Sequence, residues 1–335
     1  MVWAMLIQRL AQAVVTMLIA VLAIFVAVRV LPANPVIAQF GQHAVPEKIE
    51  KEMEERGWNK PLWQQAITFV GQMAQGNLGE SFARPGEKIS SRLGQAVPAT
   101  LELTFAAMLI AIPVGVFVGT IAALWRNAWP DWISMAIALL GVSIPVFFLA
   151  ICLIVAFPLM PTGYRLPPGT QHQLHTEFYF FEALLTGQFQ LAAVSARHLV
   201  LPAIALSTIP LAVVSRVTRN SMLEVLDADY LRTARAKGAS LLRMIVRHAF
   251  PNASLSVLNI VGFQLGMLLS GAILTETVFN WPGLGRYVVD AIRDYDYAVV
   301  QACALVLAGL FVTLNLTLDV LFLVFDPRLR EGNRS

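Results

Sequence analysis

Six long apolar runs limit what this chain can fold into more strictly than any other feature of its sequence. They lie near residues 10–28, 101–124, 132–158, 199–214, 255–275 and 298–325 of a chain of 335 residues. A helix needs about 20 apolar residues to cross a hydrocarbon layer about 30 Å thick, and there it satisfies its own backbone hydrogen bonds. The runs therefore predict an all-α integral membrane protein with six transmembrane helices.

The composition agrees with a membrane protein and argues against the soluble classes. Hydrophobic residues make up 57% of the chain and charged residues 13%, whereas about 25% of the residues of a soluble domain are charged. The formal net charge of +3 is too small for a surface that binds nucleic acid. We therefore expect membrane lipid to surround the chain and no nucleic acid to bind it.

The distribution of Lys and Arg predicts the orientation in the membrane. If six spans alternate across the bilayer, the side of the N-terminus receives the basic clusters at 216–247 and 328–334. The short loops on the other side carry few basic residues, and acidic residues accompany them at 276–296. Because positive charge is enriched in cytoplasmic loops, both termini are predicted to be cytoplasmic.

The segments between the spans divide the chain into three parts. Residues 1–31 contain the N-terminal segment and the first transmembrane helix, and residues 32–98 are expected to form a periplasmic helical cap. Residues 99–335 are expected to form a core of five transmembrane helices, which contains a basic cytoplasmic loop at 217–252. The predicted architecture is a membrane core with one helical cap outside and one helical loop inside.

The cytoplasmic loop contains more structure than membrane topology requires. Its pattern predicts a helix over 230–237 that Gly238 ends, and a second helix over 241–249 that runs up to Pro251. Apolar residues of these helices would be exposed unless another protein or this chain itself covers them: Tyr230, Leu231, Leu241 and Met244. We interpret the loop as a docking device for a partner; the alternative is a basic loop that serves topology alone.

The same loop carries a family resemblance. The segment DYLRTARAKG at 229–238, followed by HAFPN at 248–252, resembles the cytoplasmic coupling loop of ATP-binding-cassette importer permeases. Gly238 and Pro251 keep the spacing of that family, whereas Arg232 replaces its Glu. Further strings are similar to the dipeptide, oligopeptide and nickel permeases, and most of all to the first permease subunit of dipeptide importers: KPLWQQ at 60–65, GVSIPVF at 141–147, LVLPA at 199–203, SMLEVL at 221–226 and TETVFNWPGLGR at 275–286.

The resemblance implies a type I importer permease fold in a bacterial inner membrane. It implies that the chain forms half of a translocation path for di- or oligopeptides, or for a related solute such as haem, with nickel or another small solute as the alternative. The implied partners are a second homologous permease, two cytoplasmic ATP-binding subunits and a periplasmic or lipid-anchored solute-binding protein. The chain contains no Gly-x-x-x-x-Gly-Lys-Ser/Thr loop, so ATP and Mg²⁺ are expected on the partners and this chain is not expected to be an enzyme.

Three groups of candidate site residues result. The residues expected to couple to the ATPases are Asp229, Tyr230, Leu231, Arg232, Ala234, Gly238, Leu241 and Pro251. Polar residues within spans usually face the bundle interior, and those expected along the translocation path are Ser143, Asn259, Gln264, Ser270 and Asn315. In related importers the region between the last spans helps to close the outer gate and meets the binding protein, and the candidates there are Glu276, Trp281, Gly283, Arg286, Asp290 and Arg293. No metal site is expected.

Two other functions compete with the importer interpretation. An ATPase-independent transporter would need charged relays or repeat symmetry within the spans, and neither is evident. An intramembrane protease would use Ser143 as nucleophile and His198 as base, but the predicted spans place these residues at different depths. Asp319, near the inner end of the sixth span, is expected to lie at the interface or to pair with Arg216 or Arg219 rather than to relay protons.

Overall fold

The computed structural model describes residues 2–30, 46–55, 57–170 and 174–325, and in these ranges the chain is helical. Its helices are α1 (Val2–Val30), α2 (Pro46–Glu55), α3 (Leu62–Ala74), α4 (Ile89–Leu124), α5 (Trp129–Ser143), α6 (Val146–Ala156), α7 (Tyr179–Leu185), α8 (Phe189–Leu226), α9 (Asp229–Ala236), α10 (Leu241–Met244), α11 (Phe250–Gly271), α12 (Ile273–Val278), α13 (Leu284–Arg293) and α14 (Tyr297–Phe325). A π-helix, Ile245–Ala249, joins α10 to α11. The described residues contain an isolated β-bridge and no strand. The prediction of an all-α protein is confirmed.

The long apolar helices agree with the predicted spans. Five of the described helical stretches are long and apolar enough to cross a membrane: Ile7–Ala27, Ile89–Leu124, Phe189–Leu226, Leu241–Leu269 and Tyr297–Leu318. The helices α5 and α6 together are also long and apolar enough to cross a membrane, and a bend of 102° separates them. If this bent pair is one broken span, the described residues contain the six spans that the hydropathy predicts.

The bend between α5 and α6 lies where the sequence places a proline. Pro145 has no backbone N–H, and its ring disfavours a helical conformation of the residue before it. Ile144 is accordingly extended, with ψ of 121°. The hydroxyl of Ser143 donates a hydrogen bond of 2.8 Å to the carbonyl of Leu139 in its own helix. The third span is therefore broken just before Pro145.

The chain forms two compact units. The terminal unit comprises Met1–Pro98 and Pro282–Ser335, and the central unit comprises Ala99–Trp281. In the terminal unit α14 packs against α1 and α13. Asp296 precedes α14, and its carboxylate accepts hydrogen bonds from the Ser81 hydroxyl at 2.5 Å and from the backbone N–H of Val299 at 3.2 Å. This carboxylate caps the first turn of α14 and ties it to the turn that precedes α4.

In the central unit, α8 is the helix around which the others pack. It contacts α5, α6, α7 and α11, and 67% of its most apolar stretch is buried. Hydropathy alone predicts a much shorter span, 199–214, because Arg197, Arg216 and Arg219 interrupt the apolar run at both ends. The real helix continues through these charges to Leu226. The predicted boundaries of the fourth span are therefore corrected at both ends.

Two glycines let α4 approach α8 closely. A Cβ atom built on Gly115 would lie 3.0 Å from the carbonyl oxygen of Leu211. One built on Gly119 would lie 2.8 Å from the Cβ of Thr218, and it would also collide with the backbone carbonyl of Ser215. The two glycines are four residues apart, the spacing by which small residues bring membrane helices into backbone contact. The crossing of α4 and α8 therefore depends on the absence of side chains here.

Candidate functional site

The cytoplasmic loop forms a short helix with a specific stop signal. Helix α9 ends at Ala236, and Gly238 follows with φ of +80°, a conformation that costs a glycine little. The N–H of Gly238 bonds to the carbonyl of Arg235 at 2.9 Å, and the N–H of Ala239 bonds to that of Ala234 at 3.1 Å. This pair of bonds is a Schellman motif. The predicted role of Gly238 as a helix stop is confirmed.

One face of the loop is anchored to this chain itself. Leu231 of α9 and Met244 of α10 are each 4% exposed. They form one apolar cluster with residues from α4, α8, the π-helix and the start of α11: Ala123, Met222, Ala249 and Ala253. Leu231 is therefore an anchor of α9 rather than part of its exposed face. The cluster packs α9 and α10 against the long helices.

The opposite face exposes apolar side chains beside basic ones. Tyr230 is 46% exposed, Leu241 54%, and Leu242 71%. Arg232 is exposed too, and its guanidinium lies 3.5 Å from the carboxylate of Asp229 in an exposed pair. We name the exposed face formed by Tyr230, Leu241 and Leu242 the coupling surface. Leu242 was not among the predicted site residues, although the adjacent apolar pair Leu241-Leu242 in a basic loop would have indicated it.

The connection from the loop to α11 is a widened helix. Pro251 has no N–H to donate to the carbonyl of Arg247, four residues earlier. The preceding N–H, that of Phe250, bonds to Ile245 five residues back. Such π-turns occur frequently at functional sites. The predicted helix over 241–249 therefore exists, and it continues through a π-turn into α11 rather than ending before Pro251.

An ion pair between α5 and α8 was missed by the sequence analysis. The guanidinium of Arg219 in α8 bonds to both carboxylate oxygens of Asp131 in α5, at 2.5 and 2.7 Å. The N–H of Asn127 donates a third hydrogen bond to this carboxylate at 3.0 Å. Arg219 therefore has Asp131 as a partner. The side chain of Asp319 lies outside the described part, so its expected place at the interface or beside Arg216 or Arg219 stays a prediction. Residues 88 positions apart in the chain give no local signal of such a pair.

We expect Asp131→Asn to lower the apparent Tm of the purified protein by about 5 °C, because charge-assisted hydrogen bonds of this kind are worth about 2 kcal/mol. Asp227→Asn is the matched control. Asp227 lies 3.5 Å from Arg126 but its side chain is 72% exposed, so its removal should shift Tm by about 1 °C or less. Thermal unfolding in detergent measures both. Equal shifts would show that the Asp131–Arg219 pair contributes no more than a surface pair.

A second ion pair, between Glu102 of α4 and Arg165, is buried. Glu102 is 0% exposed and Arg165 4%, and their carboxylate oxygen and guanidinium nitrogen lie 2.5 Å apart. The other oxygen of Glu102 accepts the N–H of Phe180 at 2.6 Å, and Arg165 lies 3.9 Å above the ring of Tyr179. Burial raises the pKa of the Tyr179 hydroxyl, and the nearby Glu177 raises it further. One acid thus binds the loop between α6 and α7 to α4.

Two of the predicted outer-gate residues are interior residues of the central unit. Glu276 is 0% exposed and accepts a hydrogen bond of 2.6 Å from the Thr100 hydroxyl. Trp281 is 1% exposed, and its indole N–H donates to the carbonyl of Ala99 at 2.9 Å. Both residues hold the segment after α11 against α4. Their structural role is to fix the position of this segment, since neither side chain is on its surface.

The remaining outer-gate residues lie on or beside α13 in the terminal unit. Gly283 precedes α13, and Arg286 and Asp290 form an ion pair of 3.6 Å one turn apart. Arg293 is exposed at the end of the helix. Burial raises the pKa of Tyr287, on the same helix, to about 12. This helix therefore presents a surface of alternating charge, which remains a candidate for contact with a binding protein.

The candidate path residues occupy different environments. Gln264 is buried within α11 at 5% exposure, whereas Ser143 and Asn259 are exposed. Asn315 of α14 lines a cavity of about 160 Å³ in the terminal unit with Arg9 and Gln12 of α1. The side chain of Ser270 lies outside the described residues. Their role in translocation stays a prediction.

Comparison with known proteins assigns the chain to a family over almost its full length. Residues 111–331 match the model of the binding-protein-dependent transport system inner membrane component, and residues 2–104 match the corresponding N-terminal membrane-component model. The chain belongs to this family of transport permeases. The dipeptide transport system permease protein DppB of Alkalihalophilus pseudofirmus is 43% identical over 310 residues, which cover 91% of this chain and 93% of the relative. The DppB protein of Escherichia coli is 39% identical over 332 residues, which cover 97% and 98%.

A third relative is named for the transport of tripeptides as well as dipeptides. The di/tripeptide transport system permease protein DppB of Pseudomonas aeruginosa is 42% identical over 329 residues, which cover 97% of this chain and 98% of the relative. The predicted family of importer permeases and the multi-pass location in an inner membrane are thus confirmed. The family is one of transport permeases rather than enzymes. Its name further indicates that this permease works in a transport system with other components.

The side chains of this permease give no support to a protease. The Ser143 hydroxyl bonds to Leu139 of its own helix, and Nδ1 of His198 lies 3.0 Å from the carbonyl oxygen of Gly163. Within the part of the chain that the structure describes, no three His, Cys, Asp or Glu side chains are grouped in a way that would hold a metal ion. His175 is described, whereas His172 lies outside the described residues.

Proposed function

We propose that this permease forms half of the translocation path of an ATP-driven importer of di- and oligopeptides. Three relatives that match more than nine-tenths of this chain are named as permeases of dipeptide or di/tripeptide transport systems. Identity of about 40% over the full length makes a related substrate the best-supported choice. Haem, nickel or another small solute is the alternative, since the sequence also resembles permeases of the nickel type.

The observation that carries the ATP-driven mechanism is the two-sided construction of α9 and α10. Their buried face, with Leu231 and Met244, joins them to α4, α8 and α11, whereas Tyr230, Leu241 and Leu242 are left in solvent. Exposed apolar residues next to basic ones form a surface suited to a protein partner. A partner that moves this surface would move the long helices with it, as a rigid-body switch requires.

The partners follow from this mechanism. Two cytoplasmic ATP-binding subunits would supply the motion and bind ATP and Mg²⁺, and one of them would seat the coupling surface. A second homologous permease would form the other half of the path, and a periplasmic or lipid-anchored solute-binding protein would deliver the peptide. The basic residues at 216–247 then lie in the cytoplasm with both termini, and residues 32–98 form the periplasmic cap.

This function can be tested by introducing two negative charges into the coupling surface. We expect the double variant Leu241→Asp and Leu242→Asp to lose the ATPases on co-purification and to reduce peptide uptake by reconstituted vesicles about tenfold or more, because carboxylates are costly in an apolar interface. The matched control is Leu184→Asp with Leu185→Asp in α7. These leucines are also adjacent and exposed, at 47% and 87%, but they lie outside the coupling surface.

The control variant should retain the ATPases, whatever its effect on uptake. If the Leu241/Leu242 variant also retains them and hydrolyses ATP in response to peptide, the coupling surface is not where the ATPases dock. If the wild-type permease transports solute without any ATPase, the whole mechanism is refuted and an ATPase-independent transporter takes its place. Uptake of nickel or haem but not of peptide would support the alternative substrate.

A further inference from the structure

The terminal unit contains a cavity that the proposed function does not use. Its volume is about 400 Å³, within the range of about 300–1,000 Å³ that is usual for small-molecule sites. The wall combines residues of α2 and α3 and the turns beside them with the first turns of α14, and representative members are Glu54, Trp58, Lys60, Phe69, Glu80 and Gln301. The cavity therefore lies between the segment that we assign to the periplasmic cap and the first turns of α14.

The deepest polar group of the wall has an unused donor. Gln301 of α14 is 8% exposed, and its Nε2 has no hydrogen-bond partner among the described residues. A buried donor without a partner is unfavourable, and buried polar groups in native proteins are nearly always bonded. A ligand with a carbonyl or carboxylate oxygen would satisfy this group.

Hydrogen bonds order the part of the wall that contains Trp58 and Lys60. Nε2 of Gln65 donates to the carbonyl of Trp58 at 2.9 Å and to that of Lys60 at 2.8 Å. The Trp58 ring packs edge-on against Phe82, with ring centroids 6.1 Å apart. The turn that carries an aromatic ring and a cationic side chain is thus ordered without a ligand, which lowers the entropy cost of binding one.

The charges of the wall have both signs. Lys60 supplies an ammonium group, and Glu54 and Glu80 supply carboxylates. The wall also contains the amide groups of Gln65, Gln72 and Gln301 and the rings of Trp58 and Phe69. A ligand that complements this set has a carboxylate, an ammonium group, at least one amide and an apolar side chain.

We propose that this cavity binds a small zwitterionic peptide, with the C-terminal carboxylate toward Lys60 and a peptide carbonyl accepting from Gln301. This inference rests on the peptide substrate of the proposed function and adds a binding site in the cap to it. The many amides favour a peptide over a phospholipid, whose acyl chains would need a continuous apolar wall. The cap site would hold peptide at the membrane surface separately from the solute-binding protein.

The experiment uses the full transporter complex in nanodiscs without the solute-binding protein, and radiolabelled Ala-Phe as the probe. Wild type should bind the peptide saturably. Gln301→Leu and Lys60→Gln should each weaken binding about tenfold, and Lys60→Gln should bind the C-terminally amidated peptide as well as wild type does. Gln75→Leu is the matched control, because Gln75 is exposed and does not line the cavity. It should bind as wild type.

Weaker binding by these variants should not result from misfolding. Gln301→Leu removes a donor that has no partner among the described residues, and Lys60 is exposed. Unchanged Tm values would verify that both variants fold. Unchanged binding by both variants, or no saturable binding by wild type, would overturn the cap site. So would a co-purified phospholipid in the cavity that millimolar peptide does not displace.

Peptide uptake with the binding protein added separates the two proposals. If vesicles take up Ala-Phe but the cap does not bind it, the cap site is wrong and the proposed function stands. If vesicles take up another solute and neither bind nor transport Ala-Phe, both proposals are wrong.

Discussion

Replacing Gly119 with alanine is expected to lower the apparent Tm of the purified permease by about 8 °C and to reduce its yield from membranes. The new methyl group would lie 2.8 Å from the Cβ of Thr218 and would collide with the backbone carbonyl of Ser215. Backbone of α8 cannot move away as a flexible side chain would, and overpacking of this kind costs about 3 kcal/mol. Thermal unfolding in detergent measures the effect.

The same helix provides the control for this substitution. Gly94 also lies within α4, and a Cβ atom built on it meets nothing within 4 Å. Gly94→Ala should leave Tm unchanged or raise it slightly, because alanine favours the helix by about 1 kcal/mol over glycine. Similar losses at both positions would mean that α4 tolerates no alanine, and the close approach to α8 would not be the cause. A normal Tm for Gly119→Ala would refute the backbone contact itself.

Breaking the buried pair of Glu102 and Arg165 is expected to have the second large effect. The two side chains are 0% and 4% exposed, so Glu102→Gln or Arg165→Met alone leaves the partner charge in the interior. Such a loss costs about 3–5 kcal/mol, which corresponds to a fall in apparent Tm of roughly 10 °C. Thermal unfolding and limited proteolysis of the loop between α6 and α7 measure it.

The double variant decides whether the charges act as a pair. Glu102→Gln together with Arg165→Met removes both charges, and it should be more stable than either single variant because no unpaired charge remains. The glutamine oxygen can still accept the backbone N–H of Phe180, which Glu102 binds at 2.6 Å. Losses that simply add in the double variant would show that the two residues stabilise the protein independently.

The helical membrane fold was predictable because a membrane span depends only on the residues within it. About 20 apolar residues in a row indicate a span wherever the rest of the chain lies. Gly238 was predictable for a similar reason, since a glycine after a helical pattern, at φ of +80° in the structure, acts through its own backbone. The broken third span also follows from one residue, Pro145.

The sites were predictable only in part. The sequence identified Tyr230 and Leu241 as exposed apolar residues of the cytoplasmic loop, and both are exposed. It could not separate them from Leu231, which is buried, because α9 is too short for its periodicity to show which side faces the chain. The same uncertainty made Glu276 and Trp281 surface candidates, although contacts with Thr100 and Ala99, more than 170 residues away in the chain, bury them.

By itself, the sequence determined the features that depend on neighbouring residues: the apolar spans, the helix stop at Gly238, the break at Pro145 and the family. Only the tertiary structure decided which distant residues meet. Arg219 pairs with Asp131, Glu102 pairs with Arg165, and Gly119 faces the backbone of α8. Inside a low-dielectric core every charge needs a partner and every close crossing needs a small residue, but many positions satisfy these needs equally until the helices pack.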